Sequence, residues 1–436
     1  MLLLPTCNNK DISPNIPPDG GDSTEVVVPE ANDYSYTQAR SSKRGLCFNT
    51  LYAQDFAVVQ SRVSWMYNWG TSYNSTLEEA AAASQILYFP MLWNDVSNSG
   101  KTAIRKYKES HPECEYILAF NEPNLTDQAN MTPTQAAAKW AAVKDLATEL
   151  GMKIVAPAMN YGTLANYSDP VVWLDEFFAI DGVSIDDVDA LALHCYMNSP
   201  SAVKSYVERF RKYNKPIWMT EFCAWEGNRT AEQQREFMSD ILNYFENDPI
   251  IERYSWFMYE GNPAANPQYA LRPSGNRNGE LTDLGKVYIN MSSQDKNTYY
   301  SALDVIPAEH YSNTNMSAVV GSTTWQASVQ LKVCSDSTGI LEVANFGLPK
   351  WLEYPISVVA AGSYSLTIRY AASSDSKCKI RIGDTDLAEI DLPKTGSYTT
   401  WATLTTPPIT LNAGNQSLRF VMSKGMVSMN WWKFKK

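Results

Sequence analysis

A two-domain chain is predicted: an α/β domain of the (β/α)8 TIM-barrel class, followed by an antiparallel β-sandwich of jelly-roll type. Three observations predict it. Eight apolar runs of strand length alternate with helical stretches between Lys43 and Met291, and eight buried parallel strands separated by helices is the count that closes such a barrel. Beyond Met291 helical periodicity gives way to alternating runs such as Ser363-Tyr364-Ser365-Leu366-Thr367-Ile368-Arg369-Tyr370, with turns on Gly362, Gly383, Gly396 and Gly414; alternation of that kind marks half-buried antiparallel strands. Finally, 436 residues exceed one ordinary domain and suit a large domain plus a smaller one. An open dinucleotide-binding sheet is the alternative, but no G-x-G-x-x-G follows an early strand.

In chain order, residues 1–42 read as leader and disordered linker, with Pro14, Pro17, Pro18, Gly20 and Gly21 set among Asp, Ser and Asn. The start, Met1-Leu2-Leu3-Leu4-Pro5-Thr6-Cys7, resembles the tail of a bacterial lipoprotein signal. It implies a secreted or cell-surface protein, lipid-anchored through Cys7. Residues 43–295 hold the strand-length runs 45–49, 63–69, 86–93, 116–120, 153–159, 188–196, 216–222 and 253–259. The clearest helix between them opens on Thr132-Pro133-Thr134-Gln135, a capping box with proline at the first helical position. Trp140, Val143, Ala147 and Leu150 then share one face, and Gly151 ends it. Thr230-Ala231-Glu232-Gln233 opens another helix in the same way. Residues 299–436 form the sandwich.

Composition excludes several function classes. His111, His194 and His310 are the only histidines, which argues against a histidine-rich zinc site, so no metal site is expected in the α/β domain. The net charge of −11 disfavours nucleic acid and anionic membranes as partners but is compatible with a neutral polysaccharide. The seven cysteines are scattered rather than framed as a disulfide scaffold, although Cys334 and Cys378 are candidates to pair. The cluster Asp181, Asp186, Asp187 and Asp189 precedes a strand and reads as a solvated loop.

Function in such a barrel sits where the strands end. The fourth run ends Phe120-Asn121-Glu122-Pro123-Asn124 and the seventh Met219-Thr220-Glu221-Phe222. Cleaving a glycosidic bond needs two carboxyl groups: one protonates the leaving oxygen, the other attacks or supports the sugar's anomeric carbon. Glu122 and Glu221 are therefore the candidate catalytic pair. Around them, Asn121, Trp65, Trp69, Trp93, Asn160, His194, Tyr196, Trp256 and Tyr259 stand at or near strand ends as candidate substrate contacts. Aromatic rings stack on the C–H faces of sugars, and polar groups meet the hydroxyls.

Within the clan of retaining glycosidases built on this barrel, the sequence resembles glycoside hydrolase family 128, the Asl1-like hydrolases. The resemblance rests on Lys43-Arg44-Gly45-Leu46, Ser64-Trp65-Met66-Tyr67-Asn68-Trp69, Phe89-Pro90-Met91-Leu92-Trp93, Ala119-Phe120-Asn121-Glu122-Pro123, His194-Cys195-Tyr196 and Trp218-Met219-Thr220-Glu221-Phe222. It implies a retaining endo-β-1,3-glucanase with Glu122 as acid/base and Glu221 as nucleophile, no cofactor for catalysis, and a β-glucan polysaccharide or oligosaccharide as partner. Another β-glycan (β-1,4 or mixed-linkage glucan) and a non-catalytic surface glycan-binding protein are the alternatives. The second domain resembles a family 6 carbohydrate-binding module through Trp351-Leu352-Glu353-Tyr354, Ala361-Gly362-Ser363-Tyr364, Leu411-Asn412-Ala413-Gly414 and Asn430-Trp431. That resemblance implies sugar contacts at Tyr398 and Asn430. It also implies a structural calcium near Glu309, with Phe434 where its acidic partner is expected.

Overall fold

The computed structural model describes residues 38–302, 304–315 and 327–435. The expected Cys7 anchor and most of the leader lie outside the described residues. The α/β domain carries parallel strands β1 (Arg44–Cys47), β2 (Trp65–Tyr67), β3 (Leu87–Tyr88), β4 (Met91–Leu92), β5 (Tyr116–Ala119), β6 (Lys153–Val155), β7 (Leu191–Cys195), β8 (Ile217–Phe222) and β9 (Ile251–Trp256). Helices α1 (Ala53–Val59), α2 (Glu78–Ser84), α3 (Asn98–Ser110), α4 (Pro133–Leu150), α5 (Pro170–Phe178), α6 (Pro200–Glu208) and α7 (Ala231–Asn247) alternate with them, and α8 (Asp283–Asn290) follows.

The strands hydrogen-bond as two parallel sheets, in the order β3-β2-β1-β9-β8-β7 and β4-β5-β6. The single run expected over 86–93 is split into β3 and β4 at Phe89-Pro90, where proline has no N–H to continue a ladder. Among the described residues, the β6 segment meets the β7 segment only through isolated bridges, Val155↔Ala190 and Met159↔Leu193, and Pro157 lies between Val155 and Met159. Helix α4 begins as its sequence demands. Thr132 and Gln135 cap it reciprocally, and Gly151 takes the left-handed conformation (φ 61°) that ends it. Thr230 and Gln233 do the same for α7.

The C-terminal domain packs two antiparallel sheets. One contains Val305–Pro307, Gln330–Val333, Leu341–Gly347, Gly362–Ala371, Trp401–Thr405, Ile409–Leu411 and Met426–Lys435; the other contains Asn313–Thr314, Trp351–Val358, Ser376–Ile382, Thr385–Leu392 and Gly414–Lys424. Tyr354 and Phe420 meet Trp432 between them at ring distances of 5.3 and 5.2 Å. The described cysteines, Cys334 and Cys378 among them, are free thiols. Glu309 is fully buried, and burial pushes its carboxyl up to about 8; a cation there would have to hold it ionised against that penalty.

Three aromatics expected at the strand ends are core instead. Trp65 is fully buried, donates through Nε1 to the Lys43 carbonyl at 2.9 Å, and packs between Tyr67, Phe89 and Trp218. Trp256 is buried against Phe222 and Phe237, its Nε1 on the Tyr269 carbonyl. Tyr259 turns outward to the buried Asp55, donating to Oδ1 at 3.0 Å, while the Arg272 guanidinium lies over its ring.

Gly45 exists for Trp65: a Cβ there would come within 2.2 Å of the indole, which is walled in by other rings. Gly45→Ala should therefore lower stability by about 1–3 kcal/mol, as overpacking of a rigid core does. An unchanged midpoint in denaturant titration would refute this account of the packing.

Candidate active site

Glu122 follows β5 on a backbone that leaves the strand sharply. Phe120 and Glu122 both have positive φ (29° and 46°), a conformation disfavoured for side chains other than glycine and often stored at functional sites. Hydrogen bonds enforce it: Asn121 N donates to the Trp93 carbonyl at 2.7 Å and Glu122 N to that of Ala158 at 2.9 Å. The turn is further fixed by Asn124, fully buried, whose Nδ2 donates to the Asn160 carbonyl at 2.7 Å and the Tyr167 carbonyl at 3.2 Å. Glu221 lies within β8, one residue before its end.

The two carboxylates face each other across His194, which is wholly buried. Its Nδ1 lies 2.8 Å from Glu122 Oε1 and its Nε2 3.4 Å from Glu221 Oε1. One oxygen of each carboxylate and one ring nitrogen all lie within 4.8 Å of one another. Asn160 Nδ2 also donates to Glu122 Oε1, at 3.0 Å. Glu221 accepts from Trp69 Nε1 at 2.7 Å, from the Tyr67 hydroxyl at 3.2 Å and from the Tyr196 hydroxyl. That 4.8 Å spacing would also suit a divalent cation, and Trp69 Nε1, which can only donate, keeps Glu221 Oε1 an acceptor.

Burial works against charge on all three groups. For Glu122 it is outweighed by the His194 charge and by hydrogen bonds from His194 and Asn160, which hold the carboxyl below the ordinary range. For His194, Glu221 and Glu122 outweigh burial and hold the imidazole above its usual value. For Glu221, burial together with the charge of Glu122 prevails over His194, Tyr196 and Trp69, and its carboxyl is raised.

The pair opens into a cleft of about 660 Å³ whose walls include Trp69, Trp93, Asn121, Tyr196, Phe257 and Trp225. Of the residues expected here from sequence, Asn121, Trp69, Trp93, Asn160 and Tyr196 line it with the two glutamates, while His194 is buried between the glutamates. Trp65, Trp256 and Tyr259 do not reach it. Tyr67, which the sequence groups with Trp65 and Trp69 at one strand end, is buried and touches Glu221 rather than lining the cleft; Asn124 and Trp225 are the contributors that sequence reasoning missed. Tyr67 carried a legible signal, standing two residues after Trp65 on the same strand face.

In the sandwich, Asn430 is fully buried. Its Nδ2 donates to Asp336 Oδ2 at 2.9 Å and to Thr338 Oγ1 at 3.2 Å. The loop carrying Asp336 and Thr338 also crosses Gly339, where a Cβ would meet the Asn430 side chain at 2.2 Å. Tyr398 is half-buried.

Residues 45–288 match the glycosyl hydrolase catalytic core model, which spans more than half of the chain. The chain belongs to the glycosyl hydrolase catalytic core family. Two solved structures resemble it over 57% of its length. One is a subgroup II GH128 endo-β-1,3-glucanase from Pseudomonas viridiflava, at 33% identity and TM-score 0.52, covering 98% of that chain. The other is a subgroup II GH128 endo-β-1,3-glucanase from Sorangium cellulosum, at 30% identity and TM-score 0.50, covering 97% of that chain. The curated Alkali-sensitive linkage protein 1 of Schizosaccharomyces pombe is 26% identical over 269 residues, and this chain spans 44% of that relative's length. The catalytic core of this glycosyl hydrolase is thus GH128-like. Residues 326–434 match a family 35 carbohydrate binding module, which replaces the family 6 assignment expected from sequence.

Only three histidines occur in the sequence, so imidazole NMR can follow each one. His194 should titrate above the ordinary value and His310, fully buried beside Arg62, well below it. Glu122→Gln should lower the His194 value. A raised folded-state value means that His194 stabilises the fold below its unfolded value of about 6.5 and loses that contribution as pH rises through the folded one. A His194 resonance unaffected by Glu122→Gln would contradict the bridge.

Proposed function

We propose that this glycosyl hydrolase is a retaining endo-β-1,3-glucanase, with Glu122 as acid/base and Glu221 as nucleophile in a closed (β/α)8 barrel. The observation that carries the reading is the carboxylate pair joined by His194, with oxygens within 4.8 Å. Retaining glycosidases hold their two carboxyl groups about 5–5.5 Å apart, inverting ones roughly 6.5–9.5 Å, to make room for a water. The β-1,3 linkage and endo action are supported by the two GH128 relatives.

In the first step Glu122 gives its proton to the glycosidic oxygen while a Glu221 oxygen bonds to the anomeric carbon, the C–O bond to the leaving sugar breaks, and a glycosyl ester forms. In the second, Glu122 takes a proton from water, whose oxygen attacks the same carbon and releases Glu221. The acid must hold a proton and the nucleophile must not, which is the reverse of the directions found in the free site. His194 reconciles the two. An imidazolium between two carboxylates contains the same number of protons as a protonated Glu122, a neutral His194 carrying Nε2–H, and an ionised Glu221. One proton moved along the 2.8 Å Nδ1–Oε1 contact interconverts them. Neutralising Glu122 in this way also removes the charge that helps raise Glu221. We further propose that the family 35 module keeps the enzyme on its polymer outside the cell.

Wild type, Glu122→Gln and Glu221→Gln should be compared on laminarin, with cellulose and xylan as controls. Wild type should release sugar from laminarin, with the first product in the β-anomeric form by NMR. Glu122→Gln should cut kcat by about 10²–10⁴-fold, the typical worth of a general acid–base group, and Glu221→Gln, which removes the nucleophile, should cut it at least as far. No hydrolysis by wild type would remove the enzyme reading, an α-anomeric first product would remove retention, and full activity in the variants would remove the assignment.

A further inference from the structure

A second cavity, of about 300 Å³, adjoins the cleft and shares Asn160, Tyr196 and Trp225 with it. By volume it holds on the order of ten waters, and a glucosyl residue has a similar number of heavy atoms. Tyr161 and Trp225 wall it and are among the large apolar side chains left exposed, at 45% and 38%. Neither ring is loose. Arg209 lies over Tyr161, donates to its hydroxyl at 3.1 Å and is itself paired with Asp169 at 2.6 Å. Trp225 packs against Tyr196, Phe257 and Tyr269, and its backbone N–H donates to the Tyr196 carbonyl. The next residue, Glu226, is exposed at the rim, its backbone fastened on both sides by the Asn198 amide.

Two preordered aromatic faces with a polar rim are what a neutral, hydroxylated ring requires. The cavity also reaches Glu122 through Asn160 and His194, while Tyr196 joins it to Glu221. Asn160 lines it, donates to Glu122 Oε1, and accepts from Tyr161 N at 2.8 Å. Asn160 and His194 both hold Oε1 of Glu122. Trp69, Trp93, Phe257 and Met258 line only the main cleft. The geometry points to the Tyr161–Trp225 cavity as the subsite that holds the first sugar on the leaving-group side of the bond being cut. This rests on the glycosidase reading above and extends it.

The test compares two substrates. Laminarin needs a leaving-group subsite, whereas an aryl β-laminaribioside with a nitrophenolate leaving group does not. Tyr161→Ala and Trp225→Ala should each lose at least ten times more kcat/KM on laminarin than on the aryl glycoside, and Trp225→Phe should recover most of the laminarin loss. Equal losses on both substrates would mean that the rings only support Tyr196 and Glu221, and no loss on laminarin would mean that the cavity is not used; either overturns the proposal. Wild type inactive on both substrates would instead defeat the glycosidase reading itself.

Discussion

Everything in the site depends on one buried imidazole. His194 lies between two carboxylates that would otherwise repel each other in a region with little water, and its two nitrogens face one apiece. Charge buried in this way is costly unless it is paired and hydrogen-bonded. The donors around Glu221 and the Asn160 amide on Glu122 supply what the histidine alone cannot. The result is a coupled trio in which a proton can shift without changing the total charge.

That trio constrains the scaffold outward. His194 N donates to the Met159 carbonyl at 2.8 Å, which ties the histidine strand to the segment that carries Asn160. Asn124 then binds that same segment to the Asn-Glu-Pro turn. Two strand ends and the loop between them are thus tied together by hydrogen bonds. Trp65 and Tyr67 share one face of β2 and Trp69 follows just beyond its end: Trp65 seals the core beneath, and Tyr67 and Trp69 hold Glu221.

What could be read from sequence follows from this layering. Glu122 and Glu221 could be singled out as candidates because each is a carboxylate where a strand-length apolar run gives out, against the near-continuous apolar sequence of buried parallel strands. Trp65, Trp256 and Tyr259 were misplaced because a continuous apolar run carries no mark of which face, or which layer, a side chain occupies. Gly45, paired with Trp65 in register, was the available clue, since only a residue without Cβ admits the ring. The break between β3 and β4 was also written in the chain, at Pro90. The sandwich fold was readable from alternation, but its expected ligand contact was not, because nothing in a sequence shows that Asp336 and Thr338 fold back over Asn430.

The joint between the domains shows a second limit of pattern reading. On α7, Ser239, Asp240 and Asn243 are polar residues that an amphipathic reading assigns to solvent, yet all three are buried. Ser328 N donates to Asp240 Oδ1 at 2.9 Å, Leu331 N to Ser239 Oγ at 3.0 Å, and Asn243 joins Ser328 Oγ to the Tyr311 hydroxyl. Apolar contact alone would let the sandwich slide on the helix. Directional bonds in a dry interface are satisfied in one register only, and leaving any of them unmade costs about 1–3 kcal/mol. The polar residues of α7 therefore fix the orientation of the binding module, on the helix that directly follows the strand bearing Glu221.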